Sequence, residues 1–140
     1  MLIDHGAPVN DTDANGRTPL HIVAQKGQRD LVSAVLSRGA EPDVPARNGD
    51  TPLHSAVQSG SADVVLDLVR NNAPINAQVR KGGTPLIRAV TCGYVDIVRV
   101  LLDHGADRKI TDNRGNTALT SAVRKGDEVI VEMLRESNDS

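Results

Sequence analysis

With 140 residues, a formal net charge of −2, one tyrosine and neither phenylalanine nor tryptophan, the chain has the length of one compact domain. It lacks the aromatics on which such a core usually leans. Its single cysteine, Cys92, excludes an internal disulfide framework and suits a reducing compartment. No apolar run approaches the roughly 18 residues of a membrane span, and no basic stretch followed by an apolar one opens the chain. Membrane insertion and a signal peptide are therefore not expected, and a cytosolic or nuclear protein is.

Residues 1–12 read as the tail of a unit whose front is missing. Leu2-Ile3-Asp4-His5-Gly6-Ala7 returns as Leu101-Leu102-Asp103-His104-Gly105-Ala106, 99 residues further on. The chain is thus expected to begin inside a helix, either excised from a longer array or starting with a degenerate cap. Excision is preferred, because an array needs a polar terminal unit over its apolar end.

From residue 13 one pattern recurs: Thr18-Pro19-Leu20-His21, Thr51-Pro52-Leu53-His54, Thr84-Pro85-Leu86-Ile87 and Thr117-Ala118-Leu119-Thr120, each copy 33 residues after the last. A fixed period of this size signals stacked supersecondary units, here 13–45, 46–78, 79–111 and 112–140. Within each, Thr is suited to cap a helix N-terminus and Pro to occupy its first turn, where no N–H is needed. Leu then starts an apolar stripe that Val23 and Ala24, Ala56 and Val57, Ala89 and Val90, and Ala122 and Val123 continue at i+3 and i+4. Gly27, Gly60, Gly93 and Gly126 end the helix.

A second helix follows in each unit. Leu31, Val32, Val35 and Leu36 carry its apolar face first, then Val64, Val65, Leu68 and Val69, then Ile97, Val98, Leu101 and Leu102. Asp30, Asp63 and Asp96 fall in the first turn, where negative charge suits the helix dipole. Gly39, Asn72 and Gly105 close it. Helices this short fall below the ~12–15 residues needed for marginal stability alone, so packing between units must hold them. Asn15-Gly16, Asn48-Gly49 and Gly82-Gly83 read as hairpin-like turns in the links. In the last unit Ala118 replaces Pro, Arg135 stands where Leu36, Val69 and Leu102 stand, and the chain ends in Glu136-Ser137-Asn138-Asp139-Ser140. Residues 112–140 are therefore read as a C-terminal cap.

These motifs resemble the ankyrin repeat family over the whole chain, in the period of 33, the TPLH core, the helix-ending glycines and the Gly39-Ala40-Glu41 and Gly105-Ala106-Asp107 ends. The resemblance implies an all-α solenoid of stacked helix–turn–helix pairs with β-hairpin-like finger loops. It also implies a non-catalytic, monomeric scaffold that binds another protein through the fingers and first helices. The sequence departs from the pattern in places. Ile87 and Thr120 replace the motif His, so its polar network should run only through His21 and His54. Ala46 and Val79 replace the Asp that opens the finger turn, which Asp13 and Asp112 keep, leaving local turn stability open.

The resemblance further places contact positions at the finger tips and first-helix ends. They are Ala14, Asn15, Arg17, Gln25 and Lys26; Arg47, Asn48, Asp50, Gln58 and Ser59; Arg80, Lys81, Gly83, Thr91 and Cys92; and Asn113, Arg114, Asn116, Arg124 and Lys125. Eight of the twenty are basic and one is acidic, a surplus of +7 that leaves −9 for the rest of the chain. Such an imbalance makes a field, and the expected partner is an acidic or phosphorylated protein surface or peptide. Arg17, Lys26, Arg47, Arg80, Lys81, Arg114, Arg124 and Lys125 would grip it, with Asn48 beside them and Asp50 setting register. Few aromatic anchors imply moderate affinity.

The alternative is a structural spacer in a larger protein. A nucleic-acid surface ranks lower, since single-strand binders need aromatic platforms and Tyr94 stands alone. No catalytic residue, metal site, cofactor or small-molecule substrate is expected. His5, His21, His54 and His104 sit at repeat-equivalent places without metal-ligand spacing, and Cys92 has no adjacent His or Cys. Asn10 and Asn76, at the hairpin base after β-branched residues, are candidates for the asparaginyl hydroxylation that the resemblance suggests, against a plain turn-stabilising amide.

Overall fold

The computed structural model describes residues 9–136. Most of the partial unit read in 1–12, with His5, and the terminal residues 137–140 lie outside the described residues. Eight helices follow in pairs: α1 (Pro19–Gln25) and α2 (Arg29–Ser37), α3 (Pro52–Ser59) and α4 (Ala62–Arg70), α5 (Pro85–Cys92) and α6 (Val95–Asp103), α7 (Ala118–Lys125) and α8 (Glu128–Glu136). Among the described residues there is no strand. The first helices pack in one row, α1 on α3 on α5 on α7, and the second helices in another, α2 on α4 on α6 on α8.

The local signals act as their chemistry requires. Thr18, Thr84 and Thr117 cap α1, α5 and α7, each side chain accepting the amide three residues on. Pro opens α1, α3 and α5. Ser61 caps α4, and Asp127 Oδ1 accepts the Ile130 amide at the start of α8 (3.2 Å). Gly60, Gly93 and Gly126 take left-handed backbone at the ends of α3, α5 and α7. Helix α1 stops one residue earlier, with Lys26 at its cap and Gly27 beyond. Asn72 (φ 68°) is the one non-glycine residue in the left-handed region among those described, because its amide tolerates what a branched side chain would not.

Packing then joins the pairs. Leu20, Leu53 and Leu86 are buried in one aliphatic cluster with Val23, Ala56, Ala89 and Ala122, and with Val35, Leu68, Leu101 and Leu134 of the second row. Leu119 only partly joins it. One expectation fails at this end. Val123, placed on the buried stripe by its spacing, is 54% exposed. Its equivalents Val57 and Val90 are covered by the helix of the following pair, and no described residue plays that part for α7.

The links form four fingers. Asp13, Ala46, Val79 and Asp112 each start a tight turn, closed by the amides of Gly16, Gly49, Gly82 and Gly115 to their carbonyls at 2.8–3.0 Å. Neighbouring fingers are tied by one backbone bond each, from Arg47 N–H to Asn15 C=O (2.9 Å), Arg80 to Asn48 (3.0 Å) and Asn113 to Lys81 (2.9 Å). The turns without Asp stand on other groups. Asn48 Oδ1 accepts the Asp50 amide (2.9 Å), and Gln78 Nε2 donates to the carbonyls of Gly82 (2.9 Å) and Thr111 (3.1 Å).

Finger contact makes two superficially equal glycines unequal. A Cβ on Gly82 (φ +91°) would lie 2.6 Å from the Asn113 nitrogen and 2.8 Å from Asp112 Cα, whereas one on Gly115 (φ +82°) would meet nothing within 4 Å. In urea unfolding, Gly115→Ala is expected to cost only the left-handed backbone term, about 1–2 kcal/mol. Gly82→Ala should cost about 1–3 kcal/mol more through overpacking. Equal losses would mean that the third and fourth fingers do not touch as described.

Candidate functional site

The fingers are held against the first helices by two histidines. In α1 the Thr18 amide donates to His21 Nδ1 (3.0 Å), which puts the ring proton on Nε2, and Nε2 donates to the Asp50 carbonyl of the next finger (2.8 Å). His54 repeats this with the Thr51 amide (3.1 Å) and the Gly83 carbonyl (3.2 Å). Both rings are fully buried. Burial lowers the His21 pKa, and burial together with the Arg88 charge lowers that of His54 to about 4. The neutral ring is the form whose Nδ1 lone pair the threonine amide needs. At the third position Ile87 makes no such strut, and at the fourth the Thr120 hydroxyl only completes its own cap by accepting the Thr117 amide (2.8 Å).

Between the fingers and the first helices lie two grooves. The N-terminal one, about 340 Å³, is lined by Asn15, Arg17, Gln25, Ala46, Arg47, Asn48, Asp50, Ser55 and Gln58. The C-terminal one, about 580 Å³, is lined by Lys81, Ile87, Thr91, Asp112, Asn113, Arg114, Asn116, Ser121, Arg124 and Lys125. Seven of the eight expected cations are thus not scattered evenly: Arg17 and Arg47 line the first groove, Lys81, Arg114, Arg124 and Lys125 the second, and Arg80 is exposed outside both. Lys26, the eighth, is likewise exposed and lines neither.

Several of these side chains are already engaged. Arg17 Nε pairs with Asp13 (3.3 Å), whose carboxyl is held below its ordinary pKa mainly by the Arg17 backbone amide. Arg124 donates to Asn116 Oδ1 (2.9 Å), and Lys125 Nζ donates to the Thr91 carbonyl of the preceding unit. Asp112 faces its own turn, accepting the Arg114 and Asn116 amides (both 2.9 Å), and the Asn116 bond above all lowers its pKa. Asp50 is taken up by Arg88 through two bonds of 3.0 and 3.1 Å. On the second-helix row Arg29 pairs with Asp67 (2.8 Å) and Asp63 (3.7 Å).

Arg88 is the residue that reasoning from motif positions missed. A signal existed, since its equivalents Ile22, Ser55 and Ser121 are uncharged, and a lone guanidinium at such a place calls for a carboxylate. Asn10 and Asn76 use their amide oxygens as struts to the next unit, accepting the Glu41 amide (2.9 Å) and the Asp107 amide (2.8 Å). Among the described residues no group of three or more His, Cys, Asp or Glu could hold a metal, and His104 Nδ1 lies 2.8 Å from the Val100 carbonyl. No helix among them is long and apolar enough to cross a membrane.

A family profile described as ankyrin repeats (3 copies) matches residues 1–79 and 68–140, and so reaches from end to end. The chain belongs to the ankyrin repeat family. No curated protein matches it. Ankyrin repeats are generally protein–protein interaction modules and typically non-catalytic.

Two measurements test this frame. His54 is neutral when folded and takes a proton near its ordinary 6.5 when unfolded. The unfolded state therefore binds more protons between those values, and the stability from the neutral ring, full above 6.5, is lost as pH falls toward 4. Urea unfolding should lose about 2 kcal/mol between about pH 7.5 and 5. His54→Gln, which can still cap the helix, should flatten that slope, leaving the smaller part due to His21. Asp13 and Asp112, lowered from 3.8, act only at lower pH. Independently, a double-mutant cycle on Asp50→Asn and Arg88→Gln should return a coupling of about 1 kcal/mol, above the median for open surface pairs. A coupling near zero would release Asp50 to the groove.

Proposed function

We propose that this ankyrin repeat chain is a non-catalytic, monomeric docking module of the cytosol or nucleus whose finger-side grooves bind an acidic or phosphorylated protein surface. One observation carries the reading. The acids of the finger face are compensated within the fold, Asp50 by Arg88, Asp13 by Arg17 and Asp112 by backbone amides, while Arg47, Arg80, Lys81 and Arg114 make no ion pair or side-chain hydrogen bond among the described residues. A surface that spends its carboxylates internally and leaves these four cations unpaired favours anionic partners, since Arg offers bidentate grips on carboxylate and phosphate. Hydroxylation of Asn10 or Asn76 belongs to the same proposal, and intact-mass measurement after treatment with an asparaginyl hydroxylase reads it directly.

The test is a comparison of the wild-type chain with the triple variant Arg47→Glu, Arg80→Glu, Arg114→Glu in quantitative capture from lysate, followed by titration of each captured partner at low and high salt. Wild-type partners should bind at least tenfold more weakly to the triple variant, and their salt dependence should shrink with the charge removed. Equal affinity and equal salt dependence would reject a basic docking face. They would favour the spacer reading.

A further inference from the structure

Resting on that docking reading, we propose that the C-terminal groove is a subsite for a phosphorylated side chain of a peptide segment, and that the N-terminal groove is not. The two have the same architecture, a finger pair against two first helices, and differ in charge and floor. The C-terminal groove is lined by Lys81, Arg114, Arg124 and Lys125 against the single carboxylate of Asp112. The N-terminal groove carries Arg17 and Arg47 against Asp50, and Arg17 is itself paired with Asp13.

The disposition of donors favours phosphate over carboxylate. Lys125 and Arg124 are held by Thr91 and Asn116, each through one donor, so they stay in the groove wall with donors to spare. Lys81 and Arg114 are exposed at the finger edge and unpaired among the described residues, and the Ser121 hydroxyl makes no hydrogen bond there either. Four cations and a hydroxyl around one cavity suit a group of charge about −1.5 to −2 with three acceptor oxygens, and oversupply a carboxylate.

The floor favours a peptide over a free anion. Ile87 stands here where the equivalent residues of the first two units are the histidines that reach across to the next finger. An aliphatic floor of this kind, with the stems of the lysines and arginines above it, contacts apolar parts of a ligand. The volume of about 580 Å³ lies in the range that holds a whole side chain with its backbone, well beyond an isolated phosphate.

The experiment is fluorescence anisotropy of the 140-residue chain with three degenerate peptide pools, identical except for a fixed central phosphoserine, serine or glutamate, and with inositol hexakisphosphate as a non-peptide polyanion. The phosphoserine pool is expected to bind at least tenfold tighter than the serine pool. Lys81→Gln with Arg114→Gln should abolish that preference, Lys81→Arg with Arg114→Lys should retain it, and Arg17→Gln with Arg47→Gln should leave it in place. Circular dichroism melts of the variants check that each keeps the fold. Equal binding of the phosphoserine and serine pools overturns the proposal, as does a preference that survives Lys81→Gln with Arg114→Gln. Binding of inositol hexakisphosphate with all pools silent overturns it in favour of a free polyanion. A glutamate pool that binds as well as phosphoserine, and is lost in the charge-reversed triple variant, overturns the phosphate subsite while leaving the basic docking face standing.

Discussion

No helix pair in this chain can shield its own apolar stripe, and that constraint governs the rest. Helices of seven to nine residues lie below the length at which backbone hydrogen bonds repay the cost of nucleation. Leu20, Leu53 and Leu86 are buried because each faces the first helix of a neighbour, and the small Ala56, Ala89 and Ala122 let those helices approach. Burying each leucine is worth roughly 1.5–3 kcal/mol, and the gain belongs to the junction between units. The same geometry lets the core form without Phe or Trp. The seam is filled at every repeat by Leu, Val, Ile and Ala side chains, with Tyr94 only at its edge.

Finger alignment is a separate problem, solved differently along the chain. At the first two junctions a buried neutral histidine caps its own helix and reaches the next finger base. At the third, Ile87 removes that reach, and the tie moves outward to Gln78, to Asn113 Nδ2 on the Arg80 carbonyl (2.9 Å) and to Lys125 on Thr91. The exchange has a consequence for binding. The buried histidines stay committed to their carbonyls and line neither groove, whereas Ile87 lines the C-terminal groove and leaves an apolar base under a rim of cations. The larger of the two grooves lies where the motif is broken.

The elements of the fold were legible because they rest on short-range chemistry. Thr before Pro, Gly at the helix end and the i, i+3, i+4 stripe act within one turn, so a reader of the chain sees cause and effect together. What escaped is long-range. Asp50 and Arg88 are 38 positions apart, and whether they meet depends on unit stacking and on the reach of a guanidinium, neither of which has a sequence period. Val123 fails for a related reason, since its spacing marks the right face of α7 but burial needs another helix beyond it. The cations of the finger face were readable as types at positions. Their division into a compensated N-terminal groove and an uncompensated C-terminal one was not, because that depends on which neighbour each side chain has found.

The net charge of −2 conceals an uneven distribution of charge over the fold. The acids that outweigh the finger cations include Asp30, Asp63 and Asp96 at the starts of the second helices, and Arg29 already compensates part of them through Asp63 and Asp67. The second row packs behind the first at an interaxial distance of about 8–10 Å, comparable to the screening length of about 8 Å at physiological ionic strength. A ligand in a finger groove therefore meets the lysines and arginines within a few ångströms nearly unscreened, and the acids of the far row only as a damped background. Lys81, Arg114, Arg124 and Lys125 outweigh the one carboxylate of Asp112 in the C-terminal groove, and an overall charge of −2 is compatible with a locally anion-seeking surface.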